Sequence, residues 1–220
     1  MAKKIFLSPS NQSDNAYAYG NTTEAVVCGK IANALRTALQ RHAFEVKLIH
    51  YDSMERKVVA ADAWGADLYV PIHTNAFNKK VGGTRIFYYA ENGEGHKAAK
   101  CVYNALKSLT PGTSDNITPY PSLYEIETPK APTVYVEAEF HDVPEYAKWI
   151  IEHIEDIAEA ICKGICEYYG VKYAAPAKEI VEPAAALYRV QVGAYSKREN
   201  AENMLAKLKA AGFTDAYIRT

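Results

Sequence analysis

Apolar and polar positions change period several times along the chain, and each change marks an element. Residues 4–8 form a short β-favouring run closed by Pro9, which has no N–H to give to a ladder. The polar run Ser10-Asn11-Gln12-Ser13-Asp14-Asn15 reads as a loop. Val27, Ile31, Leu35 and Leu39 then recur every four residues, so a helix buries one face there, with Thr22 or Thr23 as its cap. Residues 45–50 read as a second strand, and residues 53–64 as a helix stopped by Gly65. Residues 68–72 are a buried strand that runs into the polar tip His73-Thr74-Asn75. Pro71 predicts that regular pairing ends close by.

The alternation continues. Gly82-Gly83 opens a strand over residues 84–89, a helix covers 93–109, and residues 113–121 read as an irregular polar loop. Two more strands are predicted at 122–126 and 133–140. The second leads to Glu137, Glu139 and His141. One long helix spans 144–169, with Ile150, Ile154, Ile157, Ile161 and Ile165 as its stripe. Strands alternating with helices predict an α/β domain: a mostly parallel or mixed sheet of about six strands, with helices on both faces. In such a sheet, chemistry sits beyond the carboxyl ends of the strands, where His73 lies.

Residues 172–186 shift to Ala, Pro, Lys and Glu, a linker of intermediate stiffness. It separates a first domain, residues 1–171, from an appendage, residues 187–220. In the appendage, residues 188–195 alternate like a strand, 197–211 read as an amphipathic helix, and 216–218 begin another strand. The appendage is therefore expected to be a small α+β unit.

Composition narrows the function classes. The chain has 220 residues, 49% of them hydrophobic, which is enough for one sizeable core. A net charge of −1 argues against a long basic nucleic-acid surface. No apolar run approaches the ~18 residues that span a bilayer. The opening residues run straight into a strand without the apolar run of a signal peptide, so synthesis in the cytoplasm is expected, with any later release by another route. The cysteines, Cys28, Cys101, Cys162 and Cys166, read as buried or partly buried thiols. Cys162 and Cys166 lack the close Cys or His partners of a cysteine zinc site.

Residues 67–76, with Ile72-His73-Thr74-Asn75-Ala76 at their tip, resemble the Ser-Ile-His-x-Asn-Ala segment of zinc-dependent N-acetylmuramoyl-L-alanine amidases. Residues 132–140, Pro-Thr-Val-Tyr-Val-Glu-Ala-Glu-Phe, resemble that family's Pro-Ala-Val-Leu-Val-Glu-x-Gly-Phe. The resemblance extends over about residues 3–170. It implies that His73 is one zinc ligand and that Glu24, opening the first helix, is another. It also implies that Glu137 is the catalytic carboxylate. The family's first strand runs into Asp-Pro-Gly-His-Gly, whose His is the remaining ligand. This chain has Ser8-Pro9-Ser10-Asn11-Gln12 there, so Asn11 or Gln12 stands as a weaker amide donor, with His141 as a possible recruit. Glu139, on the same strand face as Glu137 by alternation, joins His141 and Asn75 as residues behind the ligands or against substrate. The tail, with Val190-Gln191-Val192-Gly193-Ala194-Tyr195 and the turn Ala211-Gly212-Phe213, resembles the first half of a SPOR domain, which implies binding to glycan strands.

The resemblance implies hydrolysis of the amide between N-acetylmuramic acid and L-alanine in peptidoglycan, in a phage-type endolysin or a mother-cell lysis enzyme. Two other readings remain. One is a wall-binding module that has lost hydrolysis with its third ligand. The other is a metal-dependent amidohydrolase acting on another small amide. Tyr17, Tyr19, Tyr88, Tyr89, Tyr120 and Tyr124 flank the proposed site and suit a glycopeptide groove.

Overall fold

Alternation along the strands assigns the two sheet faces to different tasks. In the computed structural model, which describes residues 2–177 and 190–219, the first unit spans Met1–Pro176. Its elements are β1 (Lys4–Pro9), α1 (Glu24–Arg41), β2 (Glu45–Leu48), α2 (Met54–Trp64), β3 (Leu68–Asn75), β4 (Arg85–Tyr88), α3 (Glu94–Leu106), β5 (Asn116–Pro119), α4 (Tyr124–Glu127), β6 (Tyr135–Phe140), α5 (Pro144–Glu152) and α6 (Ile154–Tyr168). The strands form one mixed sheet in the order β2-β1-β3-β6-β4-β5. β1, β2, β3 and β6 run parallel, and β4 joins β6 antiparallel.

Ile5, Leu7, Leu68, Val70, Ile72, Ile86, Val136 and Ala138 face one side and form the main core with α1, α3, α5 and α6. Phe6 and Tyr69, on the opposite parity, pack with Val58 and Ala61 of α2 in a smaller cluster. Helices therefore cover both faces. The predicted α1 stripe of Val27, Ile31, Leu35 and Leu39 is buried. Across the main core, α6 meets α3 closely at Gly164, where an added Cβ would lie 2.5 Å from the Val102 Cα.

Several boundaries differ from the sequence reading. β3 continues through Asn75 despite Pro71. Tyr69 exchanges its N–H and C=O with Pro132 and Val134 on the β6 side, so by alternation Pro71 faces that side too. Its missing donor falls just before the β3–β6 ladder starts at Ile72 and Val136. Residues 113–121 contain an edge strand, β5, paired parallel with β4; Pro119 is tolerated because an edge needs only one partner. Residues 122–126 are not a strand. They turn into the short helix α4, whose Ile126 and Glu127 N–H groups both bond the Leu123 carbonyl. The long final helix is two helices broken at His153, whose backbone leaves the helical region at φ −122°, ψ 28°. The His153 ring also binds the Trp149 carbonyl at 2.8 Å.

Of the expected linker, Tyr173 packs against the core and Ala174 donates its N–H to His42 Nε2 at 2.9 Å. Residues 178–186 lie outside the described residues. The second unit, Ala177–Thr220, contains α7 (Arg198–Ala210), ended by Gly212 at φ +99°. Residues 190–195 and 216–218 are irregular, not strands. A strand needs a hydrogen-bonding partner, and none pairs with these segments among the described residues. Tyr188 and Arg189, part of the first of these expected strands, lie outside the described residues. No helix among the described residues is long and apolar enough to cross a membrane.

The Gly164 contact makes a direct test. Gly164→Ala should destabilise the domain, because overpacking typically costs about 1–3 kcal/mol against a helix-propensity gain of about 1 kcal/mol. A lower urea midpoint is expected; an unchanged or raised one would show that α3 and α6 separate freely.

Candidate active site

The site forms where the N-terminus of α1 meets the carboxyl end of β3. Glu24 is the first residue of α1 and is almost fully buried. Its Oε1 lies 2.8 Å from His73 Nδ1, and its Oε2 accepts from Asn15 Nδ2 at 2.8 Å. The loop ahead of α1 is tied to the same helix end: the Asn15 and Gln12 carbonyls accept from the Glu24 and Ala25 N–H groups. These backbone acceptors replace the side-chain cap expected from Thr23, which makes no such bond. Burial pushes the Glu24 carboxyl up, but the hydrogen bond and charge of His73, with Asn15, outweigh it and hold it low. Burial pushes the His73 imidazole down, but Glu24, Glu137 and Glu125 together raise it.

Glu137 is the neighbour of His73 across the β3–β6 ladder. Adjacent parallel strands in register put both side chains on one face. Burial pushes its carboxyl up to about 8, offset in part by His73 and reinforced by Glu24. Its Oε2 atom is buried without a hydrogen-bond partner, as is His73 Nε2. The His73 ring stacks on Tyr135 with centroids 4.7 Å apart.

Glu139 does not share this setting. The register slips by one residue between the His73–Glu137 and Asn75–Phe140 pairs. Such a bulge redirects the side chains that follow it. Glu139 is fully buried, with Oε1 accepting from the Gly83 and Phe140 N–H groups and Oε2 from the Gly112 N–H. It clasps two loops and takes no part in the cluster around His73.

Of the other expected residues, Asn11 and Asn75 turn to neighbouring backbone, while Gln12 and His141 stand close to Glu24. Asn11 is exposed and donates to the Asp52 carbonyl at 2.8 Å, away from His73. Gln12 is also exposed, but its Oε1 accepts from the same Asn15 amide that holds Glu24. His141 is buried, its Nδ1 bonded to the Thr74 carbonyl at 2.9 Å and its ring tilted on Tyr17. Asn75 caps its own turn through the Ala76 N–H. Asp142 holds residues 77–79 through two backbone N–H groups. Among the tyrosines, Tyr17 and Tyr88 are buried, while Tyr19, Tyr89, Tyr120 and Tyr124 are exposed.

Glu125 was not found by sequence reasoning. It enters from α4, is 4% exposed, and places Oε2 4.0 Å from His73 Nε2. A four-residue helix has no period to detect, and Tyr124-Glu125-Ile126 alternates like a strand.

The donor set fits a divalent cation. A buried carboxylate and imidazole touch, a second carboxylate stands beside them, and two buried polar atoms lack partners. Glu24 and His73 are the strong donors, and Gln12 Oε1 is the loop atom linked to them through Asn15. Far from this site, His42 joins Cys162 and Cys166 with donor atoms within 4.8 Å. The His partner that the sequence reading found absent is therefore present in space. Its Nδ1 binds the Ala38 carbonyl and its Nε2 accepts from Ala174, and burial pushes both thiols up. All four cysteines are free.

A buried carboxylate–imidazole cluster thus lies at the carboxyl ends of the parallel strands β3 and β6 of an α/β sheet. The chain belongs to the N-acetylmuramoyl-L-alanine amidase family, whose model matches residues 5–167; a SPOR domain model matches residues 182–220. The chain is 24% identical to the sporulation-specific N-acetylmuramoyl-L-alanine amidase of Bacillus subtilis, over 98% of this chain and 84% of that protein. The solved structure of the amidase AmiC2 of Nostoc punctiforme superposes with a TM-score of 0.69 at 21% identity, covering 76% of this chain and 97% of the other. The catalytic domain of the amidase CwlV from Paenibacillus polymyxa gives 0.69 at 20% identity, covering 77% and 99%.

Two carboxylates two residues apart on β6 should respond differently to the same change. Glu139→Gln sets an amide against backbone donors and should cost about 1–3 kcal/mol of stability. Glu137→Gln replaces a buried acid that has an unpartnered oxygen and should leave the urea midpoint unchanged or raised. Equal losses in both variants would contradict the division of roles.

Proposed function

We propose that this chain hydrolyses the amide between N-acetylmuramic acid and the L-alanine of the peptidoglycan stem, with zinc as its cofactor. The observation that carries this reading is the Glu24–His73 contact with Glu137 beside it. Zinc supplies Lewis-acid chemistry when bound, polarising a carbonyl and acidifying water. Glu24 and His73 would hold the ion, with Gln12 as a weak third donor. Glu137, beside His73 with an unpartnered carboxylate oxygen, takes a proton from water and passes it to the leaving amine. The exposed Tyr19, Tyr89, Tyr120 and Tyr124 offer faces for sugar or peptide groups. The SPOR-matched tail would hold the enzyme on glycan strands, and the setting we favour is wall lysis after release from the cell that made it.

One observation favours a second reading, a wall-binding module without turnover. The loop that precedes α1 offers no imidazole, and Asn11 is turned to Asp52. Zinc content and release of L-alanine N-termini from purified cell wall, measured on one sample, separate the two. One zinc per chain with new L-alanine termini supports the amidase. No zinc and no termini, with zinc supplied, supports the binding module. Termini other than L-alanine would point to a different amide.

Glu137→Gln should lower turnover by about 10²–10⁴-fold, the usual size of a general acid–base contribution, with zinc retained. His73→Ala should lose both zinc and turnover. Unchanged zinc in His73→Ala would place the ion elsewhere in the chain.

A further inference from the structure

Of the five buried side-chain atoms that lack a hydrogen-bond partner among the described residues, three come from one row across the sheet: His73 Nε2, Glu137 Oε2 and Arg85 Nε. His73 pairs with Glu137 across β3 and β6, and Glu137 pairs with Arg85 across β6 and β4. Residues directly opposite one another put their side chains on the same face. Arg85 therefore continues the cluster one strand further out. Its Nη2 donates to Ser114 Oγ at 2.9 Å, and its guanidinium lies over the Phe140 ring, 5.8 Å from the centroid. Among the described residues no carboxylate lies in ion-pair range of it. A guanidinium carries several N–H donors in a fixed fork, so most of this one is open to a ligand. The next row on the same face is aromatic. Tyr135 stacks on His73, Phe87 lies 6.1 Å from Tyr135, and Tyr120 lies 5.5 Å from Phe87. Tyr120 is exposed, and Glu137, Arg85 and Phe87 are half-buried, so this side of the sheet opens to solvent beside the cluster.

We infer that Arg85 binds a carboxylate of the substrate's peptide, in a subsite next to the reacting amide. The inference rests on the amidase reading. In a muramoyl amide the sugar has no free carboxyl, because its lactyl carboxyl is the acyl half of the scissile bond. The carboxylates of such a substrate therefore lie in the peptide, beyond L-alanine. The spacing suits that placement. Neighbouring strands lie about 4.7–4.9 Å apart, and an extended peptide advances about 3.3–3.6 Å per residue. A stem that leaves the amide beside Glu137 and crosses towards β4 brings the residue after L-alanine over Arg85. A guanidinium fork matches a carboxylate with two parallel hydrogen bonds. Ser114 and Phe140 hold the fork in place beforehand, so less side-chain freedom is lost on binding. Phe87 and Tyr120 give the same peptide an apolar floor.

The test uses the full chain with zinc supplied and two substrates. One is N-acetylmuramoyl-L-alanyl-D-glutamate; the other is the same compound with its glutamate carboxylates converted to amides. The wild type should prefer the acid by about 10–100-fold in kcat/KM, the usual worth of hydrogen bonds to a charged group, and mainly through KM. Arg85→Gln should lose that preference. Arg85→Lys keeps the charge without the fork and should retain part of it. Urea midpoints show whether each variant keeps its fold, and Arg85→Met, which keeps the packing on Phe140, replaces Arg85→Gln if that variant unfolds. No preference in the wild type overturns the inference. So does a preference kept in the Gln or Met variant, including a loss of activity shared equally by both substrates. If the wild type hydrolyses neither compound, the amidase reading fails, and the affinities of the two compounds, read by calorimetry in the same variants, still decide the role of Arg85. Equal binding of the two, or binding of neither, then overturns it.

Discussion

The contact between Glu24 and His73 joins the two halves of the design. A carboxylate buried at a helix start is costly unless it is paired. Here the pair spans 49 residues of sequence and links the first turn of α1 to the tip of β3. Everything that places α1 against the sheet, from Val27 to Leu39, also places Glu24 against His73. The loop ahead of α1 is drawn in by the same helix end, through its carbonyls and Asn15. Packing, capping and electrostatics thus converge on one pair of side chains.

The sheet divides labour by parity. One face carries Ile, Leu and Val into a core under four helices. The other carries Phe6, Ser8, Tyr69, His73, Tyr135 and Glu137, a band that changes from aromatic to ionisable as the strands reach their ends. The bulge in β6 breaks that parity once. It sends Glu139 to the backbone donors of two loops while Glu137 stays beside His73. Identical side chains two residues apart therefore have different surroundings, Glu139 on backbone donors and Glu137 beside His73 with an unpartnered oxygen.

Burial around His73 collects three carboxylates, Glu24, Glu125 and Glu137, near one imidazole. Each is accommodated differently. Glu24 is paired, Glu125 is solvated by two hydroxyls, and Glu137 is left with an oxygen that has no partner and a carboxyl pushed up. In general, such a contrast of environments sets the ionisation of neighbouring carboxyl groups apart.

The sequence by itself determined the α/β class and the run of helices and main strands, which follow from periodicity, a local property of the chain. Its short motifs resemble those of the amidase family, and that resemblance is what singles out Glu24, His73 and Glu137. The tertiary structure decided what spacing cannot express. A bulge fixed the separate fate of Glu139, a turn of four residues made α4 and delivered Glu125, and the loop geometry sent Asn11 to Asp52 while leaving Gln12 near Asn15. The strand β5 exists only because β4 offers an edge, and His42 meets Cys162 and Cys166 only because α1 and α6 pack side by side. In each case the deciding partner is distant in sequence, so no local pattern of residues can contain it.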